Sequence, residues 1–180
     1  ESWLTKIHIL MAKALFITSK DIKRYSVLSG NVDPDKFIYM VEIAMDTQIQ
    51  NYTGTVLYEK IQDLILNAQI NQPANAHYKT LLEDYLKPMT IYWALTTYMP
   101  FAAYTVANGG VYKHTAESAV TVEKNEVDYL QEKYRDIAQF YTNNFINFMC
   151  YNQSTYPEYN QNKEDDFYPD TTSDFGGWVL

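Results

Sequence analysis

The chain has 180 residues, 47% hydrophobic and 20% charged, enough apolar matter for one sizeable core, which excludes disorder throughout. Its 14 Lys and Arg against 22 Asp and Glu leave a net charge of −8, which argues against a domain that grips nucleic acid by neutralising phosphates. The one cysteine, Cys150, excludes a disulfide framework and a cysteine-built zinc site.

At the N-terminus, Trp3 to Ile17 is apolar, but Lys6, His8 and Lys13 interrupt it. That makes a poor signal peptide and too short and broken a run for a membrane span. Met11 reads as a natural start, because Ala12 to Ile17 leads directly into the first patterned region. Residues 1–10 are then an upstream extension, and 1–17 lie outside the folded domain. Thr18-Ser19 before Lys20-Asp21-Ile22 predicts a capped short helix ending near Gly30. Asp33-Pro34 predicts a stronger start, an N-cap acceptor followed by proline at the first helical position. From there Phe37, Val41, Ala44, Met45, Ile49 and Tyr52 form one apolar face. Gly54 stops that helix, and Thr55 is expected to cap the next, whose stripe is Leu57, Ile61, Leu64, Ile65 and Ala68 before Pro73. Two antiparallel helices result.

The third long segment, about 75–106, has helical spacing at Tyr78, Leu81, Leu82, Tyr85, Met89, Trp93 and Thr96. Pro88 and Pro100 each remove a backbone donor and predict a kink or break. Asn108-Gly109-Gly110 is a turn signal, and the β-branched run from Val111 to Val122 predicts a hairpin or wing over about 108–122. The last helix, about 125–151, presents Val127, Leu130, Tyr134, Ile137, Ala138, Tyr141, Phe145, Phe148 and Met149, and is expected to organise the core. The reading is all-α: a bundle of four to five helices over 18–153.

Beyond Ser154 the composition turns to Asn, Gln, Asp, Pro and Tyr without helical period, yet ends in the cluster Phe175-Gly176-Gly177-Trp178-Val179-Leu180. The core stripes lie upstream, so the body is expected to fold without residues 154–180, an extended interaction arm that orders against another polypeptide. Its candidate contacts are Tyr156, Tyr159, Phe167, Tyr168, Phe175, Gly176, Gly177, Trp178, Val179 and Leu180, joined by Val111 and Tyr112 of the hairpin. The 17 tyrosines supply large contact area with a polar tip, as interfaces often do.

Catalytic chemistry finds no motif. His8, His77 and His114 lie in separate segments without ligand spacing, and Cys150, read as a small buried hydrophobe, has no paired base. Glu164-Asp165-Asp166 with Asp170 and Asp174 offers calcium ligands on paper, but a solvated charge run is the simpler account. The expectation is a protein that is not an enzyme, takes no cofactor or metal and does not enter a membrane.

Several segments resemble the head-tail connector (adaptor, or head-completion) proteins of tailed bacteriophages, most closely those of crAss-like phages. They are Ala14 to Arg24, Gly30-Asn31-Val32-Asp33 leading into Phe37, Ile49 to Thr55, Asp84-Tyr85-Leu86-Lys87-Pro88, Asn108-Gly109-Gly110-Val111 and Phe175-Gly176-Gly177-Trp178. The resemblance covers nearly everything after Met11 and implies a virion protein of the neck, assembled in the host cytoplasm. The implied subunit joins a ring of about twelve copies beneath the portal. Such a ring completes the DNA-filled head, presents a surface to tail or further neck proteins, and lines a conduit through which DNA passes without specific binding. In the family a C-terminal arm reaches toward the portal or a neighbour, which here falls on residues 154–180. The alternative from the residues is a freestanding helical regulator that binds a protein through its C-terminal tail.

Overall fold

A computed structural model describes residues 13–18, 20–22, 34–102, 104–107, 110–113 and 124–172. The predicted N-cap Asp33 and the predicted helix end near Gly30 lie outside them. Helix α1 (Pro34–Ala44) passes through a π turn, Met45–Ile49, into α2 (Gln50–Thr53) without leaving helical backbone angles. The π turn closes through Gln50 N–H to the Met45 carbonyl, one residue wider than an α-helical bond. Phe37, Val41, Ala44, Met45 and Ile49 are buried, as their spacing predicts.

Gly54 separates α2 from α3 (Thr55–Leu66), and Leu57, Tyr58, Ile61 and Leu64 of α3 are buried. Helix α3 ends earlier than its apolar stripe suggests. Gln69 N–H reaches the Leu64 carbonyl (2.8 Å) and Ala68 N–H the Ile65 carbonyl (3.0 Å). This is a Schellman closure with Ala68, at φ 54°, in the position glycine usually takes.

A short 3₁₀ turn, Pro73–Asn75, leads into α4 (Ala76–Leu81), a second π turn at Leu82–Leu86, and α5 (Lys87–Tyr98). The kink expected at Pro88 is this π turn. Lys87 N–H bonds the Leu82 carbonyl, so the wider turn comes just before the residue that has no N–H to give. Pro100 ends α5 in the 3₁₀ turn Met99–Phe101. Helix α5 packs against α1 on one side and against α6 (Lys124–Asn152) on the other. Being central, it buries Ile91, Ala94 and Leu95 as well as the predicted Met89, Trp93 and Thr96. Its hydroxyls turn inward on the helix: Thr90 Oγ1 donates to the Leu86 carbonyl and Thr96 Oγ1 to that of Tyr92. Trp93 Nε1 donates to Thr142 Oγ1 of α6 at 3.0 Å, which satisfies the buried indole across the helix pair.

Three smaller corrections come first. First, residues 13–17 are not an extension: Ala14, Phe16 and Ile17 are buried, Phe16 lies against Tyr58 with ring centroids 5.4 Å apart, and Lys13 pairs with Asp46. Thr18 and Asp21 do cap each other, Thr18 N–H donating to Asp21 Oδ2 (2.8 Å) and Asp21 N–H to Thr18 Oγ1 (3.4 Å). Second, the ladder spans 104–113, so it begins upstream of the expected 108–122 and shares only 110–113 with it. Strand β1 (Tyr104–Ala107) pairs antiparallel with β2 (Gly110–Lys113), in register Tyr104↔Lys113 through Ala107↔Gly110. Asn108-Gly109 therefore falls between the strands in sequence, the favoured place for that dipeptide, and residues 114–122 lie outside those described. Third, Cys150 is exposed rather than buried.

The largest correction concerns the C-terminus. Residues 153–172 form a strap that lies back on the chain's own helices. Tyr156 is 1% exposed and Tyr159 3%, both within the core. Tyr156 packs edge-on against Tyr78 and beside Phe148, and Tyr159 packs against Phe145. Tyr156 Oη donates to the His77 carbonyl at 2.9 Å, and Tyr78 Oη donates to Glu158 Oε1 at 2.7 Å. Burial of two such side chains contributes roughly 1.5–3 kcal/mol each toward the entropy cost of ordering this polar segment. Composition alone hid this, because a polar average does not show where two tyrosines meet a core.

Candidate interaction surface

The strap's second half is fixed by the corner between α2 and α3. Helix α3 has no side-chain cap of its own, and Thr55 is its first residue rather than its N-cap. Its open amides are taken by the strap: Thr55 N–H donates to the Phe167 carbonyl (3.1 Å) and Val56 N–H to Asn162 Oδ1 (3.2 Å). In return Phe167 N–H donates to Thr55 Oγ1 (2.9 Å), and Asp170 N–H donates to the Asn51 carbonyl (2.9 Å) at the end of α2. Gly54, at φ 74° and ψ 160°, occupies backbone space that essentially only glycine enters. A Cβ there would come within 2.9 Å of Asn162 Nδ2 and Pro169 Cγ, so the glycine also opens the seat in which the strap lies.

This geometry sorts the predicted contact residues. Tyr156 and Tyr159 are internal and cannot present their faces to a partner while the strap is seated. Burial drives both hydroxyls toward the neutral form; that of Tyr159 is pushed up to about 12, with Cys150 and Asp170 adding to the effect. Phe167 and Tyr168 sit on the outer side of the strap with most of their surface exposed. Val111 pairs with Val106 and Tyr112 with Thr105 in the two-stranded ladder. Phe175, Gly176, Gly177, Trp178, Val179 and Leu180 lie outside the described residues.

The more extensive exposed apolar surface is on α6, where the sequence reading placed core. The 29 residues of α6 extend about 43 Å at 1.5 Å per residue. From Ala138 onward it buries Ala138, Thr142, Phe145, Ile146 and Met149. Among the described residues its earlier turns touch the body along a narrow side, where Gln131 Nε2 donates to the Thr96 carbonyl at 3.2 Å. Leu130 and Ile137, expected inside, are 43% and 38% exposed, and Tyr129 and Phe140 stand out further. Lys133 Nζ lies over the Tyr129 ring and pairs with Asp136. Exposed apolar side chains mark a contact surface when they join into a contiguous patch.

Among the described residues no comparable convergence of reactive groups occurs. Among the described residues no three His, Cys, Asp or Glu side chains gather to hold a metal ion. His77 lies beside Tyr78 and Tyr156. Two of these carboxylates serve local turns: Asp166 Oδ2 accepts from Lys163 N–H, and Asp170 accepts from Thr172, which holds the Asp170 carboxyl below its usual range. Asp174 lies outside the described residues. No described helix is long and apolar enough to cross a membrane.

Curated proteins and solved structures offer no match to the chain. A family does: residues 49–167 match it from the π turn before α2 through to Phe167 of the strap. Since the match spans most of the helical body and the strap that closes it, the chain belongs to the family of unknown function DUF6712.

Proposed function

We propose that the protein is a structural subunit of a virion neck, one copy of a ring below the portal that joins the DNA-filled head to the tail. The observation that carries this reading is the set of exposed apolar side chains on α6 between 129 and 140, Tyr129, Leu130, Ile137 and Phe140. A ring closes by heterologous contacts, one patch meeting a different patch on the next copy, and a long helix edge of this kind is a suitable patch. The net charge of −8 suits a conduit wall that DNA slides past, since like charges repel phosphate. The arm of this proposal is shorter than the sequence suggested, because 153–172 stay with their own body. Portal and tail or neck proteins are the expected neighbours, and no enzymatic step or cofactor is involved.

Native mass spectrometry of the full chain, alone and mixed with portal protein, tests this. Rings of one defined copy number, seated on portal, are the expected result. A persistent one-to-one complex with a partner and no ring, even with portal present, would instead establish the freestanding helical regulator.

A further inference from the structure

Where the π turn at Leu82–Leu86 meets the last turns of α6, an open groove of about 380 Å³ is lined by Tyr85, Asn144, Asn147, Phe148, Tyr151 and Asn152. No charged side chain lines it, although the chain carries 36 Lys, Arg, Asp and Glu (14 plus 22). Tyr85 and Phe148 stack with centroids 4.2 Å apart and form an aromatic wall. Tyr151 stands 89% exposed, so its ring face is open to a ligand. Asn152 Nδ2 is held by the Phe148 carbonyl at 2.8 Å, which fixes which way its amide points.

We infer that this groove binds a neutral saccharide unit. A pyranose ring has C–H faces that pack against the electron-rich face of an aromatic ring, and a rim of hydroxyls that each donate and accept. Primary amides donate and accept in the same way, so Asn144 and Asn147 match such a rim, whereas a groove for an anion or cation needs a compensating charge. The volume falls within the range of small-ligand sites. Its openness to solvent makes the single-site affinity weak, with Kd near about 1 mM.

The test is an NMR titration of the ¹⁵N-labelled full chain with glucose, galactose, N-acetylglucosamine and their short oligomers, at low and high salt. The expected result is a saturable shift for at least one sugar, confined to Tyr85, Asn144, Asn147, Phe148, Tyr151 and Asn152 and unchanged by salt. Asn147→Ala and Tyr151→Ala, both at exposed positions, should each weaken binding at least about tenfold, and Tyr168→Ala on the strap should leave it intact. The ¹⁵N spectrum of each variant reports its fold directly. The inference is overturned by the absence of saturable shifts up to about 50 mM sugar, by binding that survives both groove substitutions, or by a neutral Gly-Ser peptide shifting the same resonances at lower concentration than any sugar.

Discussion

Gly54 and Ala68 stand at opposite ends of α3, both at positive φ, and they demand opposite substitutions. At Gly54 a methyl group would meet both a Gly-only backbone conformation and the strap side chains Asn162 and Pro169. Gly54→Ala should therefore cost about 2 kcal/mol or more, with faster hydrogen exchange across residues 160–170; unchanged exchange there would mean the strap does not rest on this seat. Ala68 is in the left-handed region at φ 54° without a side-chain reason to be there. Ala68→Gly should stabilise the fold by about 0.5–1 kcal/mol, measured by thermal or urea unfolding. Tyr159 gives a pH dependence of definite sign. Its folded hydroxyl titrates at about 12 because burial disfavours the anion, whereas an unfolded tyrosine titrates near about 10. The neutral form is thus favoured in the folded state, and its contribution is complete below pH 10. It is lost between about pH 10 and 12 at up to about 1.4 kcal/mol per pH unit. Tyr58 and Tyr78, raised by burial in the same direction, add to this loss. Absorbance at 295 nm should show these hydroxyls ionising together with unfolding rather than before it; Tyr159→Phe should flatten the alkaline decline.

At the level of elements, periodicity located the helices well and their surroundings less well. The stripes of α1 and of α3 as far as Leu64 point inward as their spacing requires, whereas Ala68, expected on the α3 stripe, lies exposed beyond the helix end. Helix α5 buries nearly its whole circumference, and a single-stripe reading understated it because two helices cover it from opposite sides. The first half of α6 carries the same kind of stripe but lacks a covering element among the described residues, so the pattern indicates a face without indicating what meets it. Leu130→Glu with Ile137→Glu should accordingly leave monomer stability within about 0.5 kcal/mol of the parent. The double variant should abolish assembly, seen by light scattering after size exclusion. A collapse of the melting temperature in the isolated variant would place these side chains in the fold rather than at a contact. The π turns were not legible, because nothing in residue spacing separates a five-residue closure from a four-residue one; Pro88 signals a disturbance but not its form.

For the molecule as a whole, the strap changes what counts as the folding unit. It supplies Tyr156 and Tyr159 to the core, caps α3 and ties down the end of α2. Truncation after Asn152 removes all of these at once. The expected loss of about 4–6 kcal/mol corresponds to roughly 10–20 °C in Tm for a chain of this size. A truncated chain that melts within a few degrees of the parent would show that the strap is only laid on the surface. The family match ends at Phe167, the residue whose backbone both donates to and accepts from Thr55.

An apolar side chain every third or fourth residue can be satisfied only by a helix with one face away from water, so helix positions and the all-α class follow from local pattern. Turn chemistry is local too, which is why Gly54, Pro100 and a cap at Thr18 were readable. Partnership is not local. Tyr156 and Tyr159 became core, and Leu130 and Ile137 became surface, because burial depends on which distant segment arrives at each face. Asn162 can cap a helix more than a hundred residues upstream only after the chain has closed on itself. Hydrophobic pattern measures the need for a partner, whereas tertiary structure decides whether the chain supplies that partner itself.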